Sequence, residues 1–335
     1  MSKINLERLG VVLEPRGKEF RTVAKFNAGM VLDKDIVHMA YRYSVWSKLG
    51  YDESSQSCYA VDDIRYATLT SEGKLICDTE RALVQPSLPW DSSGCQDPRI
   101  VLFEGWYYLI YCGWDKNTVP SGKDRPGVGF ARTKDFKSCE KLGVIKHYTW
   151  DKDAFIFPER INRKIAYMHR VIPNIQIDYF DSIEDLLDQS FWDRYDAEKC
   201  ENSTVMRAEF KWESGKVGGS LPPIKTDKGW LIVYHGVEDH PGQKPHFTYR
   251  AGAALLDLEN SSKVIARLPY PILEPEDDYE KFGDVDNVVF PVGGYVHDGY
   301  LYISYGGADR CVAIARTPLE GLLDELLNNL KVRLG

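Results

Sequence analysis

Several familiar signatures are missing from this 335-residue chain. No apolar run reaches the ~18 residues that a membrane-spanning helix needs. The opening segment, MSKINLERLG, has no apolar core of the secretory kind, so the expected location is the cytoplasm and no membrane partner is expected. Basic residues are in the minority, with 42 Lys and Arg against 50 Asp and Glu and a net charge of −8. They form no stripe along the sequence, which argues against nucleic acid as a partner. The 7 cysteines make no CxxC, and no Cys/His cluster has zinc spacing. They read as small buried apolar residues in a reducing compartment, Cys95 among them, and no metal is expected. Also absent are GxSxG, the Walker loop, GxGxxG and HExxH, which removes the common routes to acyl transfer, nucleotide binding and zinc hydrolysis. Helical periodicity is scarce. It is convincing only at 182–195, with Ser182 as N-cap and apolar residues at 183, 186, 187 and 191, and at the C-terminal 318–330.

What the chain has is strand, and the strand repeats. KDIVHMAYR (34–42), GWYYLIYCGWD (105–115), RKIAYMHR (163–170), GWLIVYHGVED (229–239) and GYLYISYGGAD (299–309) share a polar turn, an apolar run and a polar or small ending. Five units of about 67 residues fill the chain. Second strands follow at 127–133, 250–258 and 311–317. An almost all-β chain with this period predicts one five-bladed β-propeller domain over 1–335, carrying a short helical insertion and a C-terminal helix. A pair of sandwiches or a large barrel is the alternative. The repeated segments are expected to be the innermost strands, which in a propeller run along the central channel, so that the polar residues ending them converge on the axis. Here they are Arg42, Asp115, His169 with Arg170, His235 and Asp309.

The stretch SGCQDPR (93–99) holds an acid and a base two residues apart across a proline, on the lip of an aromatic-rich strand. Pro98 fixes its own φ and is expected to push Asp97 towards extended backbone. A rigid carboxylate beside a rigid guanidinium suits a pre-positioned catalytic group, and equally a structural ion pair. Lys152 (followed by Asp153), Arg170, Lys216 in a Gly-rich loop, and His235 come from three successive repeats. Such cations with no acidic surplus would repel one another unless an anion sat among them. Phosphate fits, since Arg and Lys match its oxygens. The alternative is that each is a separate surface side chain.

These residues together resemble glycoside hydrolase family 130. FNAG (26–29), YR (41–42), GCQDPR (94–99), KDAFIFPERINRK (152–164), HR (169–170), GKVGGSLPPIKTDKGWLIVYHGV (215–237), YRAGAALLDLENSSKVIAR (249–267), ILEPEDDYE (272–280), NVVFPVGG (287–294) and YGGAD (305–309) follow in the family's order. The resemblance implies a five-bladed propeller acting on β-linked mannosides. It implies Asp97 as proton donor, Lys152, Arg170, Lys216 and His235 as phosphate-binding residues, and Asn27, Arg42, Arg99, Tyr249 and Asp309 as sugar-binding residues.

The reaction implied is inverting phosphorolysis of β-1,2- or β-1,4-linked manno-oligosaccharides to α-mannose 1-phosphate. The proton passes through a hydroxyl of the sugar, and inorganic phosphate is co-substrate with no other cofactor. The runner-up is an inverting β-mannosidase, likewise of β-1,2 linkages, with Glu213 or Glu238 activating water. A non-catalytic sugar-binding propeller is the third reading. Two departures stand out: Gln96 where Glu is usual, and the helical segment 182–195. Acceptor preference is expected to reside in loops 43–57 and 119–125. The insertion and the C-terminal helix are candidate contacts for a homo-oligomer.

Overall fold

The computed structural model describes residues 4–15, 23–45, 51–52, 57–58, 61–115, 126–147 and 149–334. The protein is all-β with few helices, and among the described residues most strands fall into five antiparallel sets built on four strands, the first four sets in chain order; the short Ile224–Lys225 also pairs with Trp230–Asp239 in the fourth set, and Tyr51–Asp52 pairs with Ser57–Cys58 outside the sets. The first is Val23–Asp33, Ile36–Val45, Val61–Thr70 and Leu75–Val84. The second is Gly94–Phe103, Trp106–Trp114, Gly127–Thr133 and Glu140–Ile145. A single parallel bridge, Asp62 to Gly94, joins these two sets into an eight-stranded sheet. The third is Asp151–Ile156, Ile165–Val171, Ile175–Phe180 and Thr204–Met206. The fourth is Lys216–Gly219, Trp230–Asp239, Phe247–Leu256 and Val264–Arg267. In the fifth, Val289–His297, Tyr300–Gly307 and Cys311–Pro318 are completed by the N-terminal strand Glu7–Leu13.

Local chemistry explains the hairpins. Glu104-Gly105 and Asp298-Gly299 each place two residues at positive φ between first and second strands. That is the two-residue turn whose twist matches paired strands. The second strands are buried on both faces, as in Trp230–Val237, because neighbouring sets cover each side. The apolar cores accordingly lie between sets. Phe155, Tyr167 and Trp230 meet across the third and fourth, and Ile303, Leu255 and Leu322 across the fourth, the fifth and the C-terminal helix. First strands lie against one another, the first set's between those of the second and fifth. At Gly29 a Cβ would sit 2.4 Å from the Pro98 carbonyl oxygen, so only glycine admits this approach.

The structure corrects three expectations. The five repeated segments are the second strand of each set, not the strands nearest the pocket, and 127–133, 250–258 and 311–317 are third strands. The segment 182–195 is two short helices, Ile183–Leu186 and Gln189–Asp193. Ser182 caps the first, as expected, by accepting the Asp185 N–H at 3.0 Å. Asp188 breaks the run because its carboxylate caps the second helix, accepting the Ser190 N–H at 2.9 Å. A third helix, Ala197–Ser203, follows, and the C-terminal helix runs Leu319–Leu334. Of the expected acceptor loops, 119–125 and most of 43–57 lie outside the described residues. Among the described residues no helix is long and apolar enough to cross a membrane.

Candidate active site

Functional side chains issue from irregularities in the first strands. Pairing skips a register at Asn27, at Asp97-Pro98 and at Asp153-Ala154. At each bulge the polar residue takes a left-handed backbone, with φ of 48° at Asn27, 52° at Asp97 and 57° at Asp153. Asp309 does the same at 53° in the turn after the fifth set's second strand. Asn and Asp are the non-glycine residues that best tolerate this region, and a bulge re-aims the side chain it carries. Asp97 is therefore not extended. A following proline disfavours the right-handed helical region but leaves the left-handed one open, and the bulge demands it.

Asp97 is buried, and its Oδ1 accepts from Asn27 Nδ2 at 2.8 Å and from Arg42 Nη1 at 3.4 Å. Arg42 also donates through Nη2 to Asp62 Oδ2 at 3.0 Å, with its guanidinium 4.6 Å from the centre of the Phe26 ring. Asn27, Arg42, Asp97, Lys152, Tyr249 and Asp309 line one cavity of about 130 Å³, walled by Phe247, Val285, Val288 and Phe290. Burial, with Asp97 nearby, pushes the Asp309 carboxyl up to about 6, against the pull of Arg42 and Lys152.

A cationic cluster lies against this cavity. Asp153 is fully buried at its centre, with Arg99 Nη2 3.1 Å from Oδ1, Arg170 Nη2 3.0 Å from Oδ2 and His235 Nε2 3.6 Å from Oδ2. The expectation of cations without an internal acid is thus corrected. Burial opposes its charge, but Arg170, Arg99 and Lys152 hold the Asp153 carboxyl far below the usual range. The Arg170–Asp153 approach lacks hydrogen-bond alignment, and Arg170 Nε and Nη2 and His235 Nε2 are buried without a hydrogen-bond partner among the described residues. An anion seated among such donors would satisfy them. Burial, reinforced by Arg170, Arg99 and Lys216, holds the His235 imidazole neutral, with Nδ1 3.2 Å from Ser220 Oγ. Lys216 opens a strand rather than riding in a loop, and burial with Arg170 and Lys152 lowers its amine to about 8. A Cβ at Gly218 would lie 2.5 Å from His235 Nε2 and 2.9 Å from Arg170 Cδ, so glycine is what lets these two sit together.

Arg99 ties both regions together. It is 1% exposed and donates to the Asp97 carbonyl at 2.9 Å, the Ser220 carbonyl at 3.1 Å and Asp153. The strand-end set divides. Arg42 and Asp309 meet Asp97, and Arg170 and His235 meet Asp153. Asp115 instead pairs with Lys146 at 3.6 Å, and His169 lies buried between Asp151 and Asp178 at 2.9 and 3.0 Å. Glu213 is fully buried and accepts from Tyr234 Oη at 2.6 Å, Arg267 Nη2 at 2.7 Å and the Glu209 N–H at 2.9 Å. Glu238 is paired with Arg250 at 2.8 Å. Cys95 is buried with its thiol pushed far up by burial, so it packs rather than reacts. Among the described residues no group of three His, Cys, Asp or Glu could hold a metal. Sequence reasoning missed Asp62 and the central role of Asp153. Neither stands out in the sequence, because Asp62 is followed by Asp63 and Asp153 follows Asp151 and Lys152.

A family model described as beta-1,4-mannooligosaccharide phosphorylase matches residues 7–328. A 1,2-beta-oligomannan phosphorylase of Thermoanaerobacter sp. (strain X514) is 34% identical over 317 residues, covering 93% of this chain and 97% of that one. A beta-1,2-mannobiose phosphorylase of the same organism is 33% identical over 308 residues, covering 91% and 93%. The solved beta-1,2-mannobiose phosphorylase from Listeria innocua, in complex with beta-1,2-mannobiose, superposes with a TM-score of 0.75 at 24% identity, covering 96% and 99%. At that identity the likeness speaks for the fold. With the family match spanning almost every residue, the chain belongs to glycoside hydrolase family 130.

Proposed function

We propose that the five strand sets are the blades of one five-bladed propeller domain, and that it is an inverting β-mannoside phosphorylase with inorganic phosphate as co-substrate. One observation carries this reading: buried donors of Arg170 and His235 without a hydrogen-bond partner lie beside Lys152 and Lys216, and Arg99 links this cluster to the backbone of Asp97, whose buried carboxyl lines the adjoining cavity. Phosphate held by Lys152, Arg170, Lys216 and His235 attacks C1 of the terminal mannosyl unit. The C1–oxygen bond to the leaving sugar breaks, and that oxygen takes the Asp97 proton through a sugar hydroxyl. The products are α-mannose 1-phosphate and the shortened mannoside. Phosphate is already a nucleophile, so no second carboxylate is required. The cations place it in line and offset its charge. Asn27 and Arg42 orient Asp97, Tyr249 and Asp309 face the mannosyl ring, and Arg99 serves as a positioning residue because its donors are spent on protein.

Both curated relatives described above are named for β-1,2-linked substrates, which favours that linkage here. The hydrolase reading is weakened at Glu213 and Glu238, because a general base needs a lone pair facing water and these carboxylates are engaged by arginines. The test is β-1,2-mannobiose with and without phosphate, followed by phosphorus NMR. Phosphate-dependent appearance of α-mannose 1-phosphate is expected. Asp97→Asn should lower turnover about 100-fold or more while mannobiose binding persists. Mannose release at the same rate without phosphate would overturn the assignment.

A further inference from the structure

Gln96 immediately precedes the acid, and its side chain is read from both ends. Its Oε1 accepts from the Trp114 indole N–H at 2.8 Å, and its Nε2 donates to Asp62 Oδ2. The same Asp62 oxygen accepts from Arg42 Nη2 at 3.0 Å, and Arg42 Nη1 reaches Asp97 Oδ1 at 3.4 Å. Asp62 is fully buried on the first set, Gln96 half-buried on the second, and the Asp62–Gly94 bridge brings their strands together. Trp114 in turn meets Trp150 edge to face at 5.4 Å.

An indole nitrogen only donates, and a carboxylate only accepts. The side chain between them must accept at one end and donate at the other. Glutamine does both. Glutamate would serve the indole but set a second carboxylate against buried Asp62, with Arg42 as the cation between them. Arg42 already faces Asp97 and lies near Asp309. It would be drawn off Asp97, or one acid would have to take up a proton.

We propose that Trp114, Gln96 and Asp62 form a positioning chain that holds Arg42 against Asp97, so that residue 96 governs mannoside turnover without reaching the phosphate cluster. The inference rests on the reading of Asp97 as proton donor and Arg42 as its sugar-side neighbour. Lys152, Arg170, Lys216 and His235 make no hydrogen bond or ion pair with any of the three, so the two substrates should respond separately.

The test is steady-state phosphorolysis of β-1,2-mannobiose by Gln96→Glu, Asp62→Asn and the double variant, varying each substrate in turn. Gln96→Glu should lose about 30- to 100-fold in kcat/KM for mannobiose, the scale of one displaced charged hydrogen bond. Its KM for phosphate should stay within about twofold of wild type. Asp62→Asn in the Gln96→Glu background should regain about tenfold or more, because the amide introduced at position 62 then donates to the carboxylate at 96 and the charge near Arg42 is restored. An unchanged Gln96→Glu, additive losses in the double variant, or a parallel rise in the phosphate KM would overturn the proposal. If Gln96→Glu fails to fold, recovery of folding and turnover together in the double variant supports the chain, and a double variant that also fails overturns it. Wild-type enzyme lacking phosphate dependence would sink the enzymatic reading itself. Wild-type phosphorolysis with a silent Gln96→Glu would sink only this one.

Discussion

Lys216 shows how crowding of like charge tunes a single residue. Burial and the cations Arg170 and Lys152 make its ammonium easier to deprotonate, while Asp153 and Asp239 pull the other way, leaving the amine at about 8. Below that pH it is a cation beside the cluster, and above it a neutral amine. A phosphate dianion needs the cation. The KM for phosphate should therefore climb above pH 8 while the KM for mannobiose stays level. Lys216→Ala should remove that limb and raise the phosphate KM about tenfold at pH 7. Initial rates between pH 6.5 and 9.5 check this. A phosphate KM flat across that window would take Lys216 out of the anion site.

At the scale of the element, the third set links the helical insertion to the cationic cluster. Tyr195 and Ser203 both donate to Asp178 at 2.7 Å, and Asp178 faces His169 Nε2. His169 Nδ1 faces Asp151, whose other oxygen accepts the Arg170 N–H at 3.1 Å. Burial disfavours the imidazolium, but Asp151 and Asp178 on its two nitrogens outweigh that and raise His169 to about 9. His147, Tyr167 and Tyr195 also pack around the ring. A raised histidine stabilises the fold fully below its ordinary value of 6.5, and the gain is lost as pH climbs through 9. Denaturant unfolding should therefore show stability falling between about pH 7 and 9 by roughly 2–3 kcal/mol. Asp178→Asn should lower stability at pH 6 and flatten that slope. A wild-type profile already flat would show that the imidazole is held neutral.

At the scale of the whole molecule, the chain's two ends meet in the fifth set. Glu7–Leu13 pairs with Cys311–Pro318, and Arg8 makes a forked contact with fully buried Glu280, at 2.9 and 3.1 Å. Burial opposes the Arg8 charge, but Glu280 more than offsets it and the guanidinium stays firmly protonated. Arg8→Ala leaves a buried carboxylate short of its cation, which should cost about 2–4 kcal/mol and several degrees in Tm. Arg8→Lys should recover only part of it, because an ammonium cannot make the fork. Calorimetry on the three proteins checks the order.

Periodicity, turn chemistry and residue type are local properties. The sequence by itself therefore determined the strand-rich repeat, the Ser182 cap, the acid beside its proline and the basic positions. Tertiary pairing decided the rest. Which strand of each set lies nearest the site depends on neighbours far along the chain. So does the left-handed turn of Asn27, Asp97 and Asp153, because a bulge exists only relative to a partner strand. Asp153 and Glu213 are both acids with a lysine within two residues, alike to a reader of the sequence. Only folding tells them apart, by bringing Arg99 and Arg170 to Asp153 and Arg267 to Glu213.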